Sequence, residues 1–191
     1  ALVHYQFETA HPFLDGNGRL GRLLITLMLI NDGVLHSCLF YPSFQFKKNR
    51  SEYYRQLTSV RERGTYEEWI EFFCNSLLES AKDSVGSLKN LVDLHNRSTA
   101  TITENLGRTA ANGQRLLGIL EEHPIVDTAF IAAQLDIGRS TASSLVKSFE
   151  ELGILRPLDE SRQRYRQYGY EEYLSILRED CLLYTSPSPR D

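Results

Sequence analysis

Apolar positions recur along most of this chain at helical spacing, and the segments differ in how many of their sides are apolar. Residues 20–31, LGRLLITLMLIN, are apolar almost all round, which predicts a central helix enclosed by others. Asn31-Asp32-Gly33 ends it, with glycine able to take the left-handed C-terminal position. The connection VLHSCLFYPSFQF follows, where Pro42 opposes a regular helix. Residues 47–62 read as an amphipathic helix turning Tyr53, Tyr54 and Leu57 inward. Arg63-Gly64-Thr65 breaks the pattern, and residues 66–78 resume it with Trp69, Ile70, Phe72, Phe73 and Leu77. A more polar helix is expected over 80–95.

The next stretch, NRSTATITENLGRTAANG at 96–113, is rich in Ser, Thr, Asn and Gly and poor in large apolar residues, so a linker is expected there. Beyond it, residues 114–122 form a helix stopped by His123-Pro124, and residues 128–135 form a second. Asp136-Ile137-Gly138 makes a tight turn, residues 140–152 form a third helix, and RPLDESRQRYRQYGY supplies two short strands around a polar turn. Two helices joined by a glycine-bearing turn and followed by a hairpin predict a winged helix-turn-helix domain over 114–178. Residues 179–191 end in CLLYTSPSPRD, which holds two of the six prolines and no periodicity, and resembles translated sequencing-adapter read-through. They are expected to be a non-native or disordered tail. The fold class is mainly α, a helical core over 1–95 followed by the winged helix.

Composition changes this picture little. At 191 residues the chain can build one sizeable core or two modest ones, and a net charge of −4 gives no global attraction for nucleic acid or anionic membrane. Any basic surface must be local. The three cysteines, Cys38, Cys74 and Cys181, lie outside metal-ligand spacing and read as free thiols, with Cys74 expected in the core. No signal peptide is visible and the apolar run 23–30 is too short to span a bilayer, so a cytoplasmic protein without a membrane partner is expected.

Chemistry concentrates in HPFLDGNGRLGR, residues 11–22, directly before the apolar helix. Backbone N–H groups at a helix N-terminus are unpaired and the helix dipole adds positive potential, while Gly16 and Gly18 let a phosphate approach that backbone. Arg19 and Arg22, three apart, emerge on one face and suit a polyphosphate. Asp15 would repel phosphate directly. It makes sense as the ligand of a Mg²⁺ that takes its other ligands from water and substrate. A neutral His11 could accept a proton from an attacking hydroxyl, with Pro12 restricting its backbone and Phe13 anchoring the loop in the core. Each feature alone is commonly a turn, a cap or a solvated face. Gathered within twelve residues, they point to a nucleotide site with one metal ligand and one general base.

The same twelve residues resemble the signature of the Fic family, HPFx(D/E)GNGRxxR, and match every defined position. ALVHYQFETA, KKNRSEYYRQL and TYEEWIEFF also resemble the Fic core, and the winged helix resembles a C-terminal domain of many bacterial Fic proteins. The resemblance implies AMPylation, transfer of AMP from ATP to a Ser, Thr or Tyr hydroxyl of a target protein. It implies that His11 deprotonates the hydroxyl and Asp15 holds Mg²⁺ between the α- and β-phosphates. Gly16, Asn17 and Gly18 would then form the anion hole, with Asn17 also on the α-phosphate. Arg19 would meet the β-phosphate, Arg22 the γ-phosphate, and Phe13 would anchor the loop. Ten residues precede His11, so the family's target-clamping flap is not in this sequence and the core reads as N-terminally truncated. The inhibitory pattern (S/T)xxxE(G/N) is approached only at Glu104-Asn105, with Ala100 where Ser or Thr is required. In the winged helix, Arg139, Ser140 and Thr141 open the recognition helix, and Arg162, Arg164 and Arg166 lie in the wing; these would contact DNA. Two alternatives remain, a nucleotide-sensing DNA-binding regulator and a Fic enzyme with other phosphate-group transfer or de-AMPylation. A second copy of the chain is a further candidate partner.

Overall fold

Apolar faces on successive helices build two separate cores. The computed structural model describes residues 1–36, 40–159 and 166–179. Cys38, Arg162, Arg164, Cys181 and the tail from 180 lie outside these described residues. The chain divides into two compact units, 1–86 and 87–179 among the described residues, and each is built as follows.

The first unit comprises α1 (Leu2–Ala10), α2 (Asn17–Asn31), α3 (Ser43–Lys48), α4 (Arg50–Arg63) and the first part of α5 (Tyr66–Asn105). Its core is aromatic: Tyr5, Phe46, Tyr53, Trp69 and Phe73 pack with Ile25, Leu57 and Val60. Trp69 is wholly buried, and its indole N–H donates to the carbonyl of Ala1 at 3.2 Å. The helix expected over 47–62 is split, because the chain turns at Asn49 between α3 and α4.

Several inward assignments need correction. α2 is not enclosed: it buries Gly21, Ile25 and Thr26, while Leu20, Leu23 and Leu27 form an exposed stripe. An all-apolar helix buries only the side a neighbour covers, and here that neighbour is chiefly α1. Tyr54, Ile70 and Cys74 are also exposed. Each follows directly after a buried residue or lies one step from one, about 100° around the helix, so the core takes Tyr53, Trp69 and Phe73 instead.

The second unit contains the rest of α5, a short 3₁₀ turn (Gly107–Thr109), α6 (Ala110–Glu122), β1 (Ile125–Asp127), α7 (Thr128–Leu135), α8 (Arg139–Glu151), β2 (Arg156–Pro157), β3 (Gln167–Gly169) and α9 (Glu171–Glu179). The expected linker at 96–113 is therefore mostly helix. Leu94, Ser98 and Ile102 recur at helical spacing and are buried, and the Ser98 hydroxyl bonds the Tyr170 hydroxyl at 2.7 Å. Gly113 lets α6 come close, since a Cβ there would meet Ile102 and Leu106 at 2.8 Å. One apolar residue per turn is enough to seat a helix, however polar its other sides.

Residues 114–135 fold much as their pattern suggests, with Asp127 capping α7 through a 2.7 Å bond from the Phe130 N–H. α7 and α8 meet through the turn at Asp136, which adopts the left-handed conformation. The three strands form an antiparallel sheet in the order β1-β3-β2, pairing Val126 with Tyr168 and Pro157 with Tyr168. β1 and α9 were not legible in the residue pattern.

Candidate functional site

The polar cluster lies at the junction of α1 and α2, and backbone geometry sets it up. α1 closes on His11, whose φ of 43° and ψ of 58° place it in the left-handed region, with its N–H donating to Phe7 O at 3.0 Å. A non-glycine residue costs roughly 1 kcal/mol or more there. The residue before a proline is expected to be extended, so the turn overrides the restraint assigned to Pro12. Gly16 starts α2 with φ of 80°, a conformation glycine adopts without strain.

Between these two turns the loop is fastened by Asn17, not by the ring of Phe13. The Phe13 side chain is 52% exposed, its ring 6.4 Å from that of Phe7, which corrects the expectation of a core anchor. Asn17 is 1% exposed. Its Oδ1 accepts from the Phe13 N–H at 2.9 Å, and its Nδ2 donates to the Phe13 carbonyl at 2.5 Å. A buried carboxamide that pairs both backbone groups of one residue sets the loop's shape. Only its second amide hydrogen is left to offer to a phosphate.

The start of α2 carries no side-chain cap, since its N-cap is Gly16. Asp15 is 92% exposed; its Oδ1 accepts from the Gly16 N–H at 2.6 Å, and its Oδ2 lies 3.7 Å from Arg19 Nη2. So exposed a pair is worth little, and an incoming anion can take Arg19 from it. Gly18 makes room for Arg22: a Cβ there would sit 3.2 Å from Arg22 Nη1. One helix end thus gathers Asp15, Gly16, Gly18, Arg19 and Arg22, with His11 exposed on the preceding turn. Among the described residues no cluster of three or more His, Cys, Asp or Glu could hold a metal unaided. Asp15 fits a Mg²⁺ ion whose remaining ligands are phosphate oxygens and water, the usual manner for that ion.

Beneath the loop lies a layer that the sequence reading missed. His4 is buried; its Nδ1 is 3.0 Å from the Gly21 carbonyl and its Nε2 is 2.9 Å from the Tyr53 hydroxyl. A carbonyl only accepts, so Nδ1 carries the proton, and Tyr53 O–H must donate to Nε2. Burial pushes His4 down to about 4, keeping it neutral, and pushes the Tyr53 phenol up. Glu8, one turn along α1, lies against the same point of α2: a Cβ on Gly21 would drive into Glu8 Oε1. The signal available was His4 and Glu8 at i, i+4 on one helix, with glycine at position 21.

Residues 1–29 match the Fic/DOC family. The chain is also 31% identical over 93 residues to the protein adenylyltransferase fic-1 of Caenorhabditis elegans, covering 49% of this chain and 17% of that protein. The corresponding protein of Caenorhabditis briggsae is 32% identical over 89 residues, covering 47% and 16%. Protein adenylyltransferase Fic of Drosophila grimshawi is 36% identical over 75 residues, covering 39% and 14%. The chain thus spans about a sixth of the length of these curated relatives.

The Fic/DOC match takes in α1, the loop and most of α2, and ends before the second unit begins. In that unit Arg139, Ser140 and Thr141 are exposed at the start of α8. Lys147, further along, lies 3.7 Å from Glu151. Arg166 is half-buried and engaged with a neighbour, while Arg156 on β2 is exposed. Glu104 is an exposed residue of the last turn of α5. Among the described residues no helix is long and apolar enough to cross a membrane.

Proposed function

We propose that the first unit carries the nucleotide site of a protein adenylyltransferase, using ATP with Mg²⁺ and a target protein bearing a Ser, Thr or Tyr hydroxyl. The observation that carries this reading is the uncapped, glycine-lined start of α2 with Asp15, Arg19 and Arg22 around it and His11 exposed on the turn before. The Fic/DOC match over these residues and the named activity of the relatives support it. The target oxygen attacks the α-phosphorus, an O–P bond forms, and the bond from the α-phosphorus to the bridging oxygen breaks to release pyrophosphate. His11 takes the hydroxyl proton. Arg19 and Arg22 bind the departing β- and γ-phosphates, and the N–H groups at Asn17 and Gly18, joined by that of Gly16 once Asp15 Oδ1 leaves it, receive charge that develops on the α-phosphate. Asp15 would hold Mg²⁺, which neutralises phosphate charge when bound.

The test is transfer of label from ATP carrying radioactive α-phosphorus to protein, with an AMP adduct located by mass spectrometry. The chain with His11→Ala should lose labelling by at least a hundredfold while retaining ATP binding. Equal labelling by this variant would remove His11 from the reaction.

A second reading belongs to the second unit. The order α6, β1, α7, α8, β2, β3, with β3 between β1 and β2, supports a winged helix-turn-helix that presents α8 to DNA. In such a protein the Fic site would tune DNA binding, and adding ATP would change retention on DNA without producing labelled protein.

A further inference from the structure

Glu8 is expensive where it stands. Its side chain is 11% exposed, and Oε1 is buried with no hydrogen-bond partner. The nearest candidate, His4 Nε2 at 4.0 Å, has no proton to give, because that nitrogen already accepts from Tyr53. Glu8 also falls in the last turn of α1, where the helix dipole disfavours an acid. Burial accordingly raises its pKa, while the charges of Arg22 and His11 pull the other way. A buried polar group left unpaired is destabilising, and leucine would fill the same space more cheaply.

Its surroundings indicate what that cost obtains. The two groups whose fields Glu8 feels, Arg22 and His11, belong to the motif. Arg22 makes no hydrogen bond or ion pair with the described residues, and its guanidinium lies back along α2 beside Gly18. Arg19 differs, resting on the exposed Asp15. Gly21, which carries the Glu8 carboxyl against α2, is the residue directly before Arg22. Gly18 thus gives the Arg22 guanidinium its room, and the Glu8 carboxyl lies against the same stretch of α2, about one turn on at Gly21.

We infer that Glu8 is a positioning residue, whose carboxylate, lying against the α2 backbone at Gly21, holds the Arg22 guanidinium ready for the terminal phosphate of the nucleotide. The inference rests on the ATP reading of the site above. Its consequence is selective: ATP, which has the phosphate assigned to Arg22, depends on Glu8, and ADP does not.

Calorimetric titration of the 191-residue chain with MgATP and with MgADP, alongside thermal melting, tests this. Glu8→Gln should weaken ATP binding about tenfold and leave ADP within about twofold, while the melting temperature holds or rises. Glu8→Asp, which keeps the charge, should retain most of the preference for ATP although its packing is poorer. A merely structural or long-range role predicts otherwise, because loss of a negative charge near an anion site strengthens both ligands together. Either that outcome, or equal loss of preference in both variants, overturns the inference. Absence of ATP binding by the unsubstituted chain overturns the nucleotide reading and this inference with it. Binding of ATP by that chain with an unchanged preference in Glu8→Gln overturns this inference alone.

Discussion

His4 shows how far one side chain can tie stability to the site. It bonds the carbonyl of Gly21 and the hydroxyl of Tyr53, so it joins α1 to α2 and α4 at the residue before Arg22. Its pKa falls from 6.5 to about 4 on burial. Between those values the unfolded chain binds a proton that the folded chain does not, so stability rises with pH across this window and is lost as pH falls through it. Over the whole interval the effect is on the order of 3 kcal/mol. Glu8 works in the opposite sense, because its raised pKa means that acid relieves part of its burial cost. Urea midpoints from pH 7 down to pH 4.5 should fall steeply for the native sequence and more gently for His4→Gln. Parallel curves would mean that His4 does not titrate on unfolding. Asn17 makes a sharper case for the loop. Asn17→Ala leaves the N–H and carbonyl of Phe13 unpaired and should cost about 1–3 kcal/mol, with a larger proportional loss of AMP transfer than of ATP binding. A variant as active as the native sequence would show that the loop holds its shape without that carboxamide.

At the scale of elements, the crossing of α1 and α2 depends on a residue without a side chain. Gly21→Ala would push a methyl into Glu8 Oε1, displacing that side chain's end, and against the Phe7 ring, whose Cδ1 would lie at 3.1 Å and must shift. The expected cost is about 1–3 kcal/mol of overpacking, read as a lowered melting temperature. Gly86→Ala in α5 meets nothing within 4 Å and should leave stability equal or higher, which makes it the matched control. Equal melting of the two variants would mean that the helices separate at no cost. This crossing also marks what the sequence could convey. HPFLDGNGRLGR pointed to the start of a helix and to the glycine, arginine and acid gathered there, and the structure places them at one helix end. The run after it announced a helix but not which side would be covered, since Leu23 and Ile25 are equally apolar and only packing tells them apart. Polar content likewise hid the helix through Ile102, where one buried residue per turn was enough. His4 and Glu8 escaped notice because a buried polar pair is defined by partners distant in sequence, Gly21 and Tyr53.

For the molecule as a whole, charge distribution decides what the second unit can hold. With a net charge of −4 the chain has no general attraction for nucleic acid, so any DNA contact must come from a small basic surface. The exposed groups suited to it are Arg139, Ser140 and Thr141 at the start of α8, and Arg156 on β2. Small polar residues at a helix start fit a major groove, and the positive end of the helix favours phosphate. The two arginines of this surface neutralise about two phosphates, and each contributes a slope of about −0.9 to log K against log salt. Raising salt from about 50 to 200 mM should therefore weaken binding about tenfold, well short of the loss seen for broadly basic proteins. Arg139→Ala should reduce that slope by about one and weaken binding to all sequences alike if it meets phosphate. Should it relax preference at one base pair instead, the guanidinium reads a base edge. Fluorescence anisotropy with a duplex selected from random sequence measures both quantities. A slope near zero, or one unaltered by the substitution, would assign α8 to protein contact, and ATP would then have no DNA-bound state to tune.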